Sequence, residues 1–169
     1  MRRRLTVFSL LLFLTACGYG LVGAPDRLPH GIQTLHVALF ENRTTEPYLE
    51  NVITQSVNQR LLRIPELRLQ TSVENSDASL SGSVLTYRIE AAAYDALDRP
   101  QQYRVVMQIE AQLQRTSDGR ILWRGELIRS AEYPADNDLR RQADFETLAQ
   151  YKVAELLSTD LSYQMAADF

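Results

Sequence analysis

The chain has 169 residues, 45% of them hydrophobic and 23% charged, with a formal net charge of −3 and a single cysteine. That size fits one domain with a real core, and one thiol leaves no partner for an internal disulfide. The acidic balance disfavours nucleic acid as a ligand, since phosphate backbones are bound by an excess of lysine and arginine.

In chain order, Arg2, Arg3 and Arg4 precede an apolar run from Leu5 to Phe13 that is broken only by Thr6 and Ser9. The run is too short to span a bilayer, which takes ~20 apolar residues, and reads as a signal peptide over residues 1–16. It ends in Leu14-Thr15-Ala16 directly before Cys17. This spacing resembles the lipobox of bacterial lipoproteins, which implies diacylglycerol on the thiol, cleavage before it and acylation of the new amine. The competing reading is an ordinary secretory cleavage site followed by a stray thiol. An anchor of two or three acyl chains is lasting, because each buried methylene contributes ~0.8 kcal/mol. Gly18 occupies the position where inner-membrane lipoproteins commonly carry Asp, so the resemblance favours the outer membrane. Removing the three signal arginines leaves 15 basic against 21 acidic residues, a mature charge of −6.

Residues 17–33 hold four glycines (Gly18, Gly20, Gly23 and Gly31) with Pro25 and Pro29; they read as an extended, lipidated tether. Residues 34–169 form the predicted domain. A strand covered on both faces is expected over 34–40, where Leu35, Val37, Ala38, Leu39 and Phe40 are apolar. The polar stretch 41–47 carries helix-start chemistry, with Thr45 as N-cap and Pro47 in the first turn. Asn42-Arg43-Thr44 also matches a glycosylation acceptor, a chance match in a bacterial lipoprotein. Leu49, Val52, Ile53, Val57, Leu61 and Ile64 mark one helical face, which Pro65 stops. A short strand follows over 67–71, then a turn cluster over 74–77.

Over 78–90 the apolar residues change phase: Leu80, Gly82 and Val84 are even, whereas Leu85, Tyr87 and Ile89 are odd. One face can stay buried only if a residue is extra, so a bulge is expected at Val84 and Leu85. A polar loop is expected over 94–102. Then Tyr103, Val105, Met107, Ile109, Ala111 and Leu113 alternate with mostly polar neighbours, and Ser117-Asp118-Gly119 turns into a partner strand with Ile121, Trp123, Gly125 and Leu127. The last segment places Phe145, Leu148, Ala149, Val153, Leu156, Leu157 and Leu161 at helical spacing, with a start between 137 and 144. These elements predict an α+β two-layer sandwich, a small mixed sheet of four or five strands with two amphipathic helices on one face.

Catalytic groups do not converge. His30 and His36 are the only histidines and lack metal-ligand spacing, and no HExxH, GxSxG, Walker or GxGxxG pattern occurs. Asp95 and Asp98 read as solvated loop charges. No enzyme, metal or cofactor is expected beyond the lipid on Cys17. Tyr87, Tyr94, Tyr103, Trp123 and Tyr133 fit core or cross-strand pairs. Arg88, Arg99, Arg104, Arg120, Arg124 and Arg129 accompany them; Arg99, Arg104 and Arg120 at loop ends could meet a phosphate-bearing ligand such as lipopolysaccharide.

The ordered pieces Cys17-Gly18-Tyr19-Gly20-Leu21-Val22-Gly23, Phe40 through Pro47, Asp77-Ala78-Ser79-Leu80-Ser81-Gly82, Tyr103-Arg104-Val105 and Gly119-Arg120-Ile121-Leu122-Trp123 resemble the lipopolysaccharide-assembly lipoprotein family LptE. The resemblance implies an outer-membrane lipoprotein facing the periplasm that plugs the β-barrel translocon LptD, helps it assemble, assists lipopolysaccharide insertion and catalyses nothing. A half-polar sheet suits a polar barrel lumen. The alternative is another periplasmic lipoprotein, such as an activator of a cell-wall synthase. A lipid-anchored hydrolase is disfavoured by the missing nucleophile and metal ligands.

Overall fold

The structure is a computed structural model and describes Leu28 and residues 31–167. The signal peptide, Cys17, His30 and most of the tether lie outside the described residues. Those described form, in order, β1 (Thr34–Val37), β2 (Glu41–Asn42), α1 (Leu49–Leu61), β3 (Arg68–Gln70), β4 (Ala78–Tyr94), β5 (Pro100–Arg115), β6 (Ile121–Pro134) and α2 (Leu139–Ala167). The sheet runs β3-β1-β4-β5-β6, with β2 also on β4. β1 is parallel to both neighbours, whereas β4, β5 and β6 form an antiparallel meander. This is the expected α+β fold, with six strands in place of four or five.

Both helices pack on the face that carries Leu80, Val84, Val105, Met107, Ile109 and Leu113, and their own apolar stripes (Ile53, Val57 and Leu61; Val153, Leu157 and Leu161) complete a buried core. The phase change in β4 is resolved as its pattern requires. The β4–β5 register shifts between Val84 and Thr86, so Leu85 is the surplus residue and Tyr87 returns to the helix side opposite Met107.

The strand expected over 34–40 ends at Val37 and resumes at Glu41. Val37 pairs with Leu80 and Glu41 with Ser83, four residues against three, so the chain steps out by one residue. That step turns Phe40 into the core at 1% exposure and leaves Leu39 outside. The Phe40 ring lies over Gly82, where an added Cβ would collide with the ring and sit 2.6 Å from the Glu110 carbonyl oxygen. The backbone carbonyl cannot retreat without opening the β4–β5 ladder. Gly82→Ala is therefore expected to destabilise the fold by ~1–3 kcal/mol, read as a lowered denaturation midpoint at unchanged slope.

Thr45 does not cap α1. The residue before the helix is Tyr48, in the left-handed region at φ 67° and with no side-chain cap bond, and Pro47 stays in the preceding turn. Asn42 instead organises the approach: its Oδ1 accepts from the Thr44 backbone N–H at 3.0 Å and hydroxyl at 2.8 Å, while its Nδ2 donates to the Glu46 carbonyl at 2.7 Å. The polar loop expected over 94–102 shrinks to a turn, because the ladder continues to Tyr94 opposite Pro100. Proline is tolerated there, at a strand's first residue, where its missing N–H costs little. The Asp95 carboxylate closes the turn by accepting from the backbone of Leu97 at 2.8 Å and Arg99 at 2.9 Å. α2 begins inside the expected window, with the Asp138 carboxylate accepting from the Arg140 N–H at 2.9 Å.

Candidate functional site

Two helices on one side leave the other side of the sheet without cover among the described residues. Alternation along the strands decides what it displays: Ser79, Ser81, Ser83 and Thr86 from β4, Arg104, Gln108, Glu110 and Gln112 from β5, and Arg124, Glu126 and Glu132 from β6. The charges on this face are cross-linked. Arg43 joins Glu41 and Glu110 at 2.8 Å each, Arg104 contacts Glu132 and, at 3.7 Å, Glu90, and Gln108 donates to Glu126 at 3.0 Å. The Arg43 guanidinium hydrogen bond holds the Glu41 carboxyl below its ordinary range, and the Glu132 carboxylate pushes Arg104 up in the same way. Between β2 and β6 lies a shallow depression of about 420 Å³, lined by Leu39, Arg43, Ser81, Glu110, Gln112 and Arg124. Such a surface offers hydrogen bonds and largely matched charges across a broad area. It is suited to docking against another polar wall.

The arginines singled out from the sequence do not gather. Arg99 sits at the β4–β5 turn with its Nε and Nη2 both 2.8 Å from Asp95. Arg104 lies on the open sheet face, held by Glu132 and Glu90. Arg120 follows the β5–β6 turn, where its backbone N–H donates to Asp118 at 3.0 Å and its guanidinium meets no carboxylate among the described residues. The two turns stand at opposite ends of the 16 residues of β5, about 50 Å apart at ~3.3 Å per residue. No single headgroup can touch both.

The aromatics are mainly structural. Tyr103 and Tyr133 stack at 5.7 Å, and burial pushes the Tyr133 hydroxyl up to about 12. Burial likewise raises Tyr87, whose hydroxyl donates to Glu146 at 3.2 Å and accepts from Gln150 at 2.9 Å. Trp123 is buried, and only Tyr94 of the five is largely exposed. His36 is satisfied by the Gln70 carbonyl, 3.1 Å from its Nδ1.

Two residues with central roles escaped the sequence reading. Asn42 is one; its Asn-x-Thr spacing is also an Asx-turn signal. The other is Asp77, whose Oδ2 accepts from the Gln33 N–H at 3.0 Å and from the Thr34 N–H and hydroxyl at 2.8 Å, tying the start of β1 to β4. Hydrogen bonds from Thr34 and Gln33 depress its carboxyl. Among the described residues no group of His, Cys, Asp and Glu could hold a metal ion, and no helix is long and apolar enough to cross a membrane.

A family profile described as LptE, lipopolysaccharide-assembly, matches residues 32–169. A search of curated proteins finds no match. Solved structures share the fold at low identity. A Xanthomonas campestris protein superposes with a TM-score of 0.58 at 13% identity, covering 85% of this chain and 89% of its own. Lipoprotein B from Nitrosomonas europaea gives 0.55 at 14%, covering 89% and 91%. PelC from Paraburkholderia phytofirmans, solved as a dodecamer, gives 0.55 at 17%, covering 81% and 89%.

Proposed function

The chain belongs to the LptE lipopolysaccharide-assembly family, and from that premise we propose that it is a non-catalytic outer-membrane lipoprotein, anchored through Cys17, that plugs and helps assemble an LptD-type β-barrel. The observation that carries this reading is the uncovered sheet face, whose charges are largely matched among themselves, Arg124 excepted. A barrel lumen is polar and closed, so a plug inside it needs many hydrogen-bonding groups and little unpaired charge on the side it presents. The helix layer supplies the core that keeps that face in shape.

The test is capture of the lipidated full-length chain from detergent extracts, with a photo-crosslinking side chain at Gln112 on the sheet face and a control at Glu155 on the helix layer. Attachment of a large β-barrel to the Gln112 probe and not to the Glu155 probe is expected. Recovery of a peptidoglycan synthase in its place would favour the activator reading.

Lipopolysaccharide is the proposed ligand, with its phosphates meeting Arg99 and Arg104 at one end of the sheet and Arg120 at the other as separate contacts. Charge-assisted bonds from arginine suit phosphate, although Arg99 and Arg104 must first yield their carboxylates. Arg120→Glu alone and Arg99→Glu with Arg104→Glu should each weaken lipopolysaccharide binding in part, with a reduced salt dependence. Wild-type affinity in the combined variant would place the contact elsewhere.

A further inference from the structure

β6 is an edge strand of 14 residues that, among the described residues, is paired along its β5 side alone. A long unpaired edge is a template for strand addition unless its sequence blunts it. The ladder fixes which groups are free. Ala135 N–H donates to the Gln101 carbonyl, so in the continuing register the odd residues of β6, such as Tyr133, Arg129 and Leu127, exchange hydrogen bonds with β5. The even residues from Arg124 to Glu132 then turn their N–H and C=O groups outward. The Ile128 carbonyl illustrates this, since its partner is the Arg129 guanidinium at 3.1 Å.

We propose that β6 pairs antiparallel with the β6 of a second copy of this chain, in a register centred on Ile128. The outward groups close a ladder only when even residues face even residues. Centred on Ile128, the twofold axis sets Arg124 opposite Glu132 of the other copy, twice by symmetry, with Glu126 opposite Ser130 and Ile128 opposite itself. A step to an axis at Leu127 makes no ion pair, and a step to Arg129 sets Glu126 opposite Glu132. An axis at Gly125 also pairs Arg124 with Glu126, but it overlaps only about nine residues of β6 against about thirteen for the axis at Ile128, which is therefore the longest register in which charges match.

It also answers two local features. Arg124 bonds only Gln112 and has no carboxylate partner among the described residues, while Ile128 is a large apolar side chain left 48% exposed on a mostly polar face. In the paired form Glu132 bridges its own Arg104 and the second copy's Arg124, and the two Ile128 side chains cover each other. On the helix side Trp123 comes opposite Tyr133 of the other copy. The Arg129 guanidinium, held also by Asp160 at 2.6 Å, releases the Ile128 carbonyl to the incoming N–H.

The inference concerns the chain on its own, and its test uses no barrel, so it fails or holds separately from the plug reading. Purified full-length chain in detergent should show a monomer–dimer equilibrium by sedimentation. Arg124→Glu and Glu132→Arg should each raise the dissociation constant about tenfold by turning both pairs into like charges, and the double variant should restore it. Melting temperature checks that Glu132→Arg, which also loses Arg104, still folds. Ile128→Cys should cross-link between copies under oxidation, since paired Cα atoms lie ~5.5 Å apart, within disulfide reach. Ile121→Cys, which the register sets opposite residue 135, should remain at the background of the wild-type chain. A chain that is monomeric at all concentrations, a double variant without rescue, or equal cross-linking at both positions would each overturn the proposal.

Discussion

Replacing Trp123 by alanine is expected to cost about 3–5 kcal/mol, the range for deleting a large buried aromatic. The indole is 4% exposed and stands opposite Leu113 in the β5–β6 ladder. Its ring arches over Gly125, where an added Cβ would come within 2.6 Å of Cζ2, so the residue beneath the indole has no side chain of its own to fill the space it would leave. Against a total stability of ~5–15 kcal/mol, the loss is a large fraction of the whole. Denaturant unfolding of the variant should show a much lower midpoint, and an unchanged midpoint would mean that the indole is not part of the core.

The second large effect is on placement in the cell. Cys17→Ala is expected to abolish acylation and move the protein from the membrane fraction to the soluble one, or hold it with its signal uncleaved. Among the described residues no helix could take over as an anchor, and one apolar tether without acyl chains binds bilayers only marginally. Intact mass of the wild-type protein without a fatty-acid increment would refute the premise.

The elements that were legible in the sequence are those whose information is periodic and local. The β5–β6 hairpin follows from strict alternation around Ser117-Asp118-Gly119, and the Leu85 bulge follows from one break in parity. The stripe from Leu49 to Leu61 and the one through Val153 and Leu161 fixed the helix faces. What escaped depends on contacts between distant residues. The step at residues 38–40 exists because the Phe40 ring needs the space over Gly82, 42 positions away, and nothing in either tripeptide announces the other. Thr45 carries a local capping signal, but Asn42 organises the approach loop and the helix begins after Tyr48. The arginines looked like one site because Arg99, Arg104 and Arg120 all flank turns, yet a strand of 16 residues separates the two turns. Spacing in sequence says little about which end of a sheet a turn occupies.

The parallel pairing of β1 with β4 has a consequence for the order in which the protein folds. The meander closes through tight turns, so its ladders grow from contacts close in sequence, whereas the Asp77 clamp on Thr34 spans 43 residues with α1 and β3 inside the loop. Closing a loop of that size carries an entropy cost that local hairpins avoid, and non-local pairing is slow. If the chain crosses a membrane amino-terminus first, as the proposed signal peptide implies, β1 and α1 emerge before the strand they need. Leu35, Phe40 and Ile53 would then stay uncovered until the meander forms behind them, and that interval is when the young protein would have most need of a chaperone.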